Sequence, residues 1–186
     1  MGADQPVGLS DEELLRLLKQ AAADLGLRAW VVGGYVRDKL LGRPHPNPDV
    51  VVEDGDALKL AQWFAQLASA GPPVTFERYG TAQVTLPAHF VEFVTARAES
   101  YAPESRKPDV HPGTLEEDLK RRDFTINTLL MDLDGNIHDP LGGRKDLDAR
   151  ILRTPADPVD TFADDPLRML RAIRFASQLG LSLIHI

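Results

Sequence analysis

The chain has 186 residues, 43% of them hydrophobic, with 21 Lys and Arg against 28 Asp and Glu and a formal net charge of −7. That is one domain or slightly more at roughly 100–200 residues per domain, and the composition excludes global disorder. The absence of cysteine excludes a disulfide scaffold, a thiolate metal centre and a cysteine nucleophile, and fits a reducing, cytoplasmic setting.

Residues 1–9 read as a loose tail. Ser10 and Glu13 form a capping-box pattern, and Leu14, Leu15, Leu17 and Leu18 follow at helical spacing, so a helix is expected over 11–23 with Gly26 past its end. Arg28 to Val32 reads as a buried strand running into Gly33-Gly34, with a short helix over 36–41. Asp49-Val50-Val51-Val52-Glu53 is a second apolar strand, and Asp56 is placed to cap a helix over 57–68. Strands are expected over 74–79, 82–86 and 91–95, the first two joined at Gly80-Thr81. Residues 97–113 are polar and rich in proline, which predicts a loop. Helical patterning resumes over 114–119 and 124–130. A turn follows at Pro140-Leu141-Gly142-Gly143, and an amphipathic helix is expected over 165–179, carrying Leu167, Leu170, Ile173, Phe175 and Leu179. The order predicts an α/β or α+β sheet domain leading into a helical segment. Residues 182–186 follow that last helix without an evident closing element, so an incomplete protein is expected. No apolar run approaches the roughly 18–20 residues of a membrane span. Residues 1–13 carry neither basic residues nor an apolar core, so a signal peptide is not expected.

Four motifs carry chemistry. Two glycines after a buried strand, Gly33 and Gly34, let the backbone approach a phosphate closely, and Arg37 adds a guanidinium fork. The plain alternative is a tight turn with a solvated Arg37. Asn47-Pro48-Asp49 enters a strand, where positions two apart point to one side and two carboxylates hold divalent cations. Here only the second position is acidic. Arg121-Arg122-Asp123 at the start of a helical pattern suits an anion site or a surface ion-pair cluster. Asp164-Asp165-Pro166-Leu167-Arg168 with Arg171 reads as a capped helix start with an Asp165–Arg168 pair, Arg168 and Arg171 sharing a face. The acidic net charge weighs against nucleic acid, because phosphate binding needs basic surface.

In this order the motifs Gly-Gly-x-Val-Arg-Asp, Asn-Pro-Asp, Arg-Arg-Asp-Phe-Thr-Ile-Asn and Asp-Pro-Leu-Arg-x-Leu-Arg resemble those of the class II tRNA nucleotidyltransferases (CCA-adding enzymes) and the related bacterial poly(A) polymerases. The resemblance implies a mixed-sheet nucleotidyltransferase head over residues 10–153 and the start of a helical neck over 154–186. It implies Mg²⁺-dependent addition of C and A from CTP and ATP to tRNA 3′ ends. It implies that Gly33, Gly34 and Arg37 hold the triphosphate, and that Asn47 and Asp49 occupy the metal-carboxylate positions. It further implies that Arg122 and Asp123 contact the nucleotide, and that Asp165 and Arg168, supported by Arg171, read the base. Glu92 stands where such folds often place a third acid. Its plain alternative is a polar residue on a half-buried strand. The family has Asp where this chain has Asn47, and an amide oxygen does not replace a bridging carboxylate. Impaired transfer is therefore expected. The other readings are poly(A), CC-only or A-only addition, and a non-catalytic nucleotide- or RNA-binding module of the same fold.

Overall fold

A computed structural model describes residues 9–45, 47–100 and 109–184. The chain divides into two compact units, residues 1–95 with 131–136, and 96–130 with 137–186. The 1–8 part of the expected tail lies outside the described residues.

In the first unit, α1 (Asp11–Leu25) begins at a complete Ser10–Glu13 capping box and ends at Gly26, which adopts φ 63°. β1 (Arg28–Val32) leads into α2 (Gly34–Leu40). β2 (Asp49–Glu53) matches the predicted apolar run. Asp56 caps α3 (Ala57–Leu67) through the Leu58 and Lys59 amides. β3 (Val74–Phe76) is shorter than expected. Residues Glu77–Tyr79 form a 3₁₀ turn closed by Gly80 at φ 58°, so the hairpin into β4 (Thr81–Thr85) is turned by four residues rather than two. β5 (Phe90–Thr95) completes this set.

These strands lie in the order β3-β4-β5-β2-β1. β2 runs parallel to β5, and β1–β2, β4–β5 and β3–β4 are antiparallel, which makes the sheet mixed. Register and alternation divide its two faces. Ala29, Val31, Val50, Val52, Ala82, Val84, Val91 and Phe93 share one face, and the described apolar members are buried. α3 packs there and also against α1, with the Phe64 and Phe93 rings 5.4 Å apart. The other face carries Gln83, Glu92, Asp49 and Val32 in one register row. The helix-covered face sets the register, because a slip of one residue would bury that polar row.

The second unit corrects the loop expected over 97–113. β6 (Arg97–Ser100) and β7 (Asp109–Pro112) pair antiparallel, and the intervening 101–108 lie outside the described residues. Pro112 ends its strand, a position that tolerates the missing N–H. α4 (Leu115–Lys120) starts at a Thr114–Glu117 capping box. The helix expected over 124–130 is instead a 3₁₀ turn at Thr125–Asn127 followed by β8 (Leu130–Met131), within a segment that is buried on every side. A short apolar run of this kind has no periodicity to separate helix from strand. β9 (Ile137–His138), α5 (Gly143–Asp148) and β10 (Ile151–Leu152) follow. α6 (Pro158–Asp164), absent from the sequence expectation, carries Asp157 as its cap and Pro at its first turn. α7 (Leu167–Leu179) starts two residues later than expected, and β11 (Ser182–Leu183) pairs with β10. The apolar stripe of α7 is split. Ala172 and Phe175 are buried, whereas Leu167, Leu170 and Ile173 are more than half exposed.

Candidate functional site

The predicted residues fall into two groups, one in each unit. In the first, β1 ends at Val32, the register partner of Asp49. The chain then turns through Gly33, whose φ of 82° and ψ of −138° suit glycine alone, and Gly34 opens α2. Asp49 is also the partner of Glu92 across the parallel β2–β5 ladder. Gly33, Asp49 and Glu92 thus gather at one end of the sheet by backbone register alone. Asp49 and Glu92 are both partly exposed. Asn47 extends this ladder beyond β2: the Phe90 N–H donates to its Oδ1 at 3.1 Å, and the Glu92 N–H donates to the Pro48 carbonyl at 3.1 Å.

Arg37 is buried rather than solvated, which overturns the plain alternative, and one edge of its guanidinium is paired. Its Nε and Nη2 donate to Asp38 Oδ1 and Oδ2, each at 2.8 Å. Asp38, the last residue of the Gly-Gly-x-Val-Arg-Asp motif, has no role of its own in the sequence reading, although an acid adjacent to the arginine was the signal.

The donor set at the sheet end suits a hard divalent cation in part. Mg²⁺ is commonly bound by one or two carboxylates, with water and substrate phosphates completing the shell. Asp49 and Glu92 supply two such groups in register. Asn47 supplies a neutral oxygen that already accepts the Phe90 N–H. Among the described residues no group of three or more His, Cys, Asp or Glu is placed to hold a metal. The residues therefore fit a cation shared with a phosphate-bearing ligand rather than a cage built by protein alone.

In the second unit, α4 places Asp118 three and four residues before Arg121 and Arg122, on one helix face. Asp118 is fully buried. Arg121 donates through Nε and Nη2 to its Oδ1 at 3.1 and 2.6 Å, and Arg122 through the same atoms to its Oδ2 at 3.3 and 3.0 Å. Burial pushes the Asp118 carboxyl up, but Arg122 and Arg121 outweigh it and hold the group below its ordinary value. This carboxylate was not among the predicted residues, although its spacing to the arginines was the available signal.

Asp123 faces α7. Its Oδ1 accepts the Phe124 N–H at 2.8 Å and Asn127 Nδ2 at 2.9 Å, and its Oδ2 accepts Arg171 Nε at 2.7 Å. The Arg171 guanidinium also lies 5.4 Å from the Phe175 ring, which meets Phe124 edge-on. The expected Asp165–Arg168 side-chain pair does not form. Asp165 Oδ1 caps α7 by accepting the Leu167 N–H at 3.0 Å. Arg168 is buried and donates instead to the Thr161 carbonyl at 3.2 Å and the Arg121 carbonyl at 2.7 Å. Two backbone acceptors, the Thr161 carbonyl in the last turn of α6 and the Arg121 carbonyl at the end of α4, take its donors in place of an acid already engaged by its own helix terminus.

Comparison with known proteins identifies the family. The poly A polymerase head domain model matches residues 29–153. The A-adding tRNA nucleotidyltransferase of Aquifex aeolicus (strain VF5) is 42% identical over 161 residues, covering 84% of this chain and 19% of that protein. The CCA-adding enzyme of Bacillus subtilis (strain 168) is 39% identical over 172 residues, covering 91% of this chain and 41% of that protein. A solved tRNA nucleotidyltransferase complexed with a primer tRNA and an incoming ATP analog superposes with a TM-score of 0.76 at 39% identity, covering 90% of this chain and 46% of that one. The chain therefore spans less than half the length of these relatives. With that family's model matched over more than half of its residues, and its motifs in the family's order, the chain belongs to the poly A polymerase head domain family.

Proposed function

We propose that this chain is the nucleotide-binding head of a template-independent RNA nucleotidyltransferase that adds C and A residues from CTP and ATP to tRNA 3′ ends. The observation that carries the reading is the register row Val32–Asp49–Glu92, which sets the Gly33-Gly34 turn beside two carboxylates. The curated relatives are A-adding and CCA-adding enzymes, and one related structure holds a primer tRNA and an ATP analog, which supports tRNA as the acceptor.

In the proposed reaction the 3′-hydroxyl attacks the α-phosphorus, a new P–O bond forms and pyrophosphate leaves. Asp49 and Glu92 would hold Mg²⁺, which supplies charge neutralisation on the triphosphate and a more acidic hydroxyl when bound. The Gly33-Gly34 turn brings backbone N–H groups close to phosphate oxygens. Arg122, with Asp123 beside it, would bind the nucleotide. Asp165 and Arg168, with Arg171 behind them, would present hydrogen-bonding edges to the base. A site of this kind discriminates strongly, because a wrong base leaves polar groups unpaired.

A second reading rests on Asn47. Its amide oxygen is engaged by the Phe90 N–H, and it brings no negative charge to the sheet end. That favours a module that binds nucleotide and transfers it slowly. Radiolabelled CTP and ATP, each tested on tRNA lacking the last three, two or one nucleotides, separate the readings. Incorporation of both nucleotides supports CCA addition, and ATP alone in long tracts supports poly(A) addition. Binding of either nucleotide without incorporation selects the module, and neither binding nor incorporation overturns the assignment.

A further inference from the structure

Asp118 is the most deeply buried acid of the second unit, and nothing in the proposed reaction uses it. It sits in the first turn of a six-residue helix whose start is fixed by the Thr114–Glu117 box. Each of its oxygens takes one guanidinium, Arg121 on Oδ1 and Arg122 on Oδ2. The side chains of Arg121 and Arg122 are 19% and 17% exposed, against 0% for Asp118. A carboxylate with both oxygens spent on charged donors fixes two side chains in orientation as well as in place.

Arg122 is bound to Asp118 only through its Nε and Nη2 atoms. A guanidinium carries five N–H donors in a rigid plane, so this engagement leaves the Nη1 pair to another acceptor. Arg121 takes part in a second linkage, because its backbone carbonyl accepts Arg168 Nη2. One buried carboxylate thereby steadies Arg122 directly and the anchor of Arg168 through the backbone of Arg121.

We propose that Asp118 is a positioning residue for the nucleotide: it clamps Arg122 by one edge so that the Nη1 edge meets an oxygen of a nucleoside triphosphate. The inference rests on the reading of this chain as a nucleotidyltransferase head. Asparagine at 118 keeps the shape, but its single acceptor oxygen holds one guanidinium at most and its NH₂ opposes the other. Arg122 then loses its fixed plane.

Calorimetric titration of the 186-residue chain with CTP, ATP and inorganic triphosphate tests this. Asp118→Asn is expected to weaken CTP and ATP binding at least tenfold, and Arg122→Gln equally. The double variant is expected to bind within about twofold of either single one, because both changes remove one interaction. A residue with a merely structural role would give independent losses, and a hundredfold loss in the double variant overturns the proposal. Parallel weakening of triphosphate places the contact on phosphate, and weakening of CTP and ATP alone places it on the nucleoside; each supports the clamp. Unchanged binding by folded Asp118→Asn overturns this inference alone, whereas no binding of CTP or ATP by the unmodified chain overturns it together with the proposed function. Guanidinium ¹⁵N NMR of the unmodified chain keeps the test open if Asp118→Asn does not fold. A slowly exchanging Arg122 Nε–H, with CTP shifting the Nη signals only, is expected, and a rapidly exchanging Nε–H overturns the clamp.

Discussion

Asp49 on β2 stands in register with Glu92 on the parallel strand β5, so two carboxylates occupy neighbouring positions on one face of the sheet. Like charges directly across a ladder destabilise a sheet by roughly 0.2–1 kcal/mol. The apolar residues on either side fix the register, so the pair cannot separate by slipping. Glu92→Gln should therefore stabilise the protein in chelator by about 0.2–1 kcal/mol, seen as a higher urea midpoint. With millimolar Mg²⁺ and CTP present the gain should disappear, because the unmodified pair then has a cation to hold. A midpoint unmoved by Glu92→Gln in chelator would show that the two carboxylates do not interact.

The position two residues before Asp49 tests the proposed reaction more directly. The Asn47 side-chain oxygen accepts the Phe90 N–H, and an aspartate oxygen can accept the same bond. Asn47→Asp should thus preserve the local backbone while restoring a second negative charge on the β2 side. By analogy with the loss of one transition-state donor, worth roughly 2.7–4 kcal/mol, the change should raise single-turnover CMP transfer about 10²–10³-fold. Equal rates in the two proteins, with Asp49→Asn as the dead control, would remove Asn47 from any role in the chemistry.

Acid should act on the second unit through Asp118. Its carboxyl lies below the ordinary value of 3.8 in the folded chain, and the unfolded chain releases its proton near that ordinary value. The contribution is therefore present above about pH 4 and is lost as pH falls through the lowered folded value. Stability of the unmodified chain, followed by urea unfolding from pH 5 to pH 2.5, should fall more steeply than that of Asp118→Asn. Parallel curves would mean that the arginines do not hold the carboxylate charged.

The sheet end was legible in the sequence because its signals are local. Gly33-Gly34 follows a buried apolar run, and the acid at Asp49 opens another; alternation then decides which face each residue takes. The capping box at Ser10 is legible for the same reason. Other features depend on partners distant in sequence. β6 and β7 are polar strands that pair across a segment of low periodicity, and nothing within either strand announces the other. Arg168 was read with Asp165, its neighbour in sequence, but its guanidinium reaches the Arg121 carbonyl 47 residues away. The helix α6 was missed despite a readable Asp157-Pro158 start, because the stronger apolar pattern of α7 drew the boundary to itself. The Asp118 cluster lay in plain i, i+3, i+4 spacing, but burial distinguishes it from an ordinary surface pair, and burial is not written in spacing.

The glycine pair at the start of α5 separates two physical roles that the sequence cannot tell apart. Gly142 adopts φ 76° and has open space where a Cβ would lie. Alanine there meets only the backbone penalty of the left-handed region, about 1–2 kcal/mol. A Cβ on Gly143 would lie 2.1 Å from the Thr125 carbonyl oxygen and 2.8 Å from its carbonyl carbon. Those atoms are backbone, and they belong to a segment tied down on both sides: the Thr125 N–H donates to the Arg153 carbonyl at 2.8 Å, and Thr125 Oγ1 donates to Asp146 at 2.7 Å. The neighbour cannot give, so α5 must move away from the Thr125–Asn127 turn. Gly143→Ala should accordingly destabilise by roughly 3 kcal/mol or more, beyond the 1–3 of ordinary overpacking, and Gly142→Ala by no more than about 2 kcal/mol. Denaturant unfolding of the two variants side by side checks the order. The moved helix should also shift the Thr125 and Asp146 amide resonances in Gly143→Ala alone, and a larger loss in Gly142→Ala would refute the close approach of α5 to this turn.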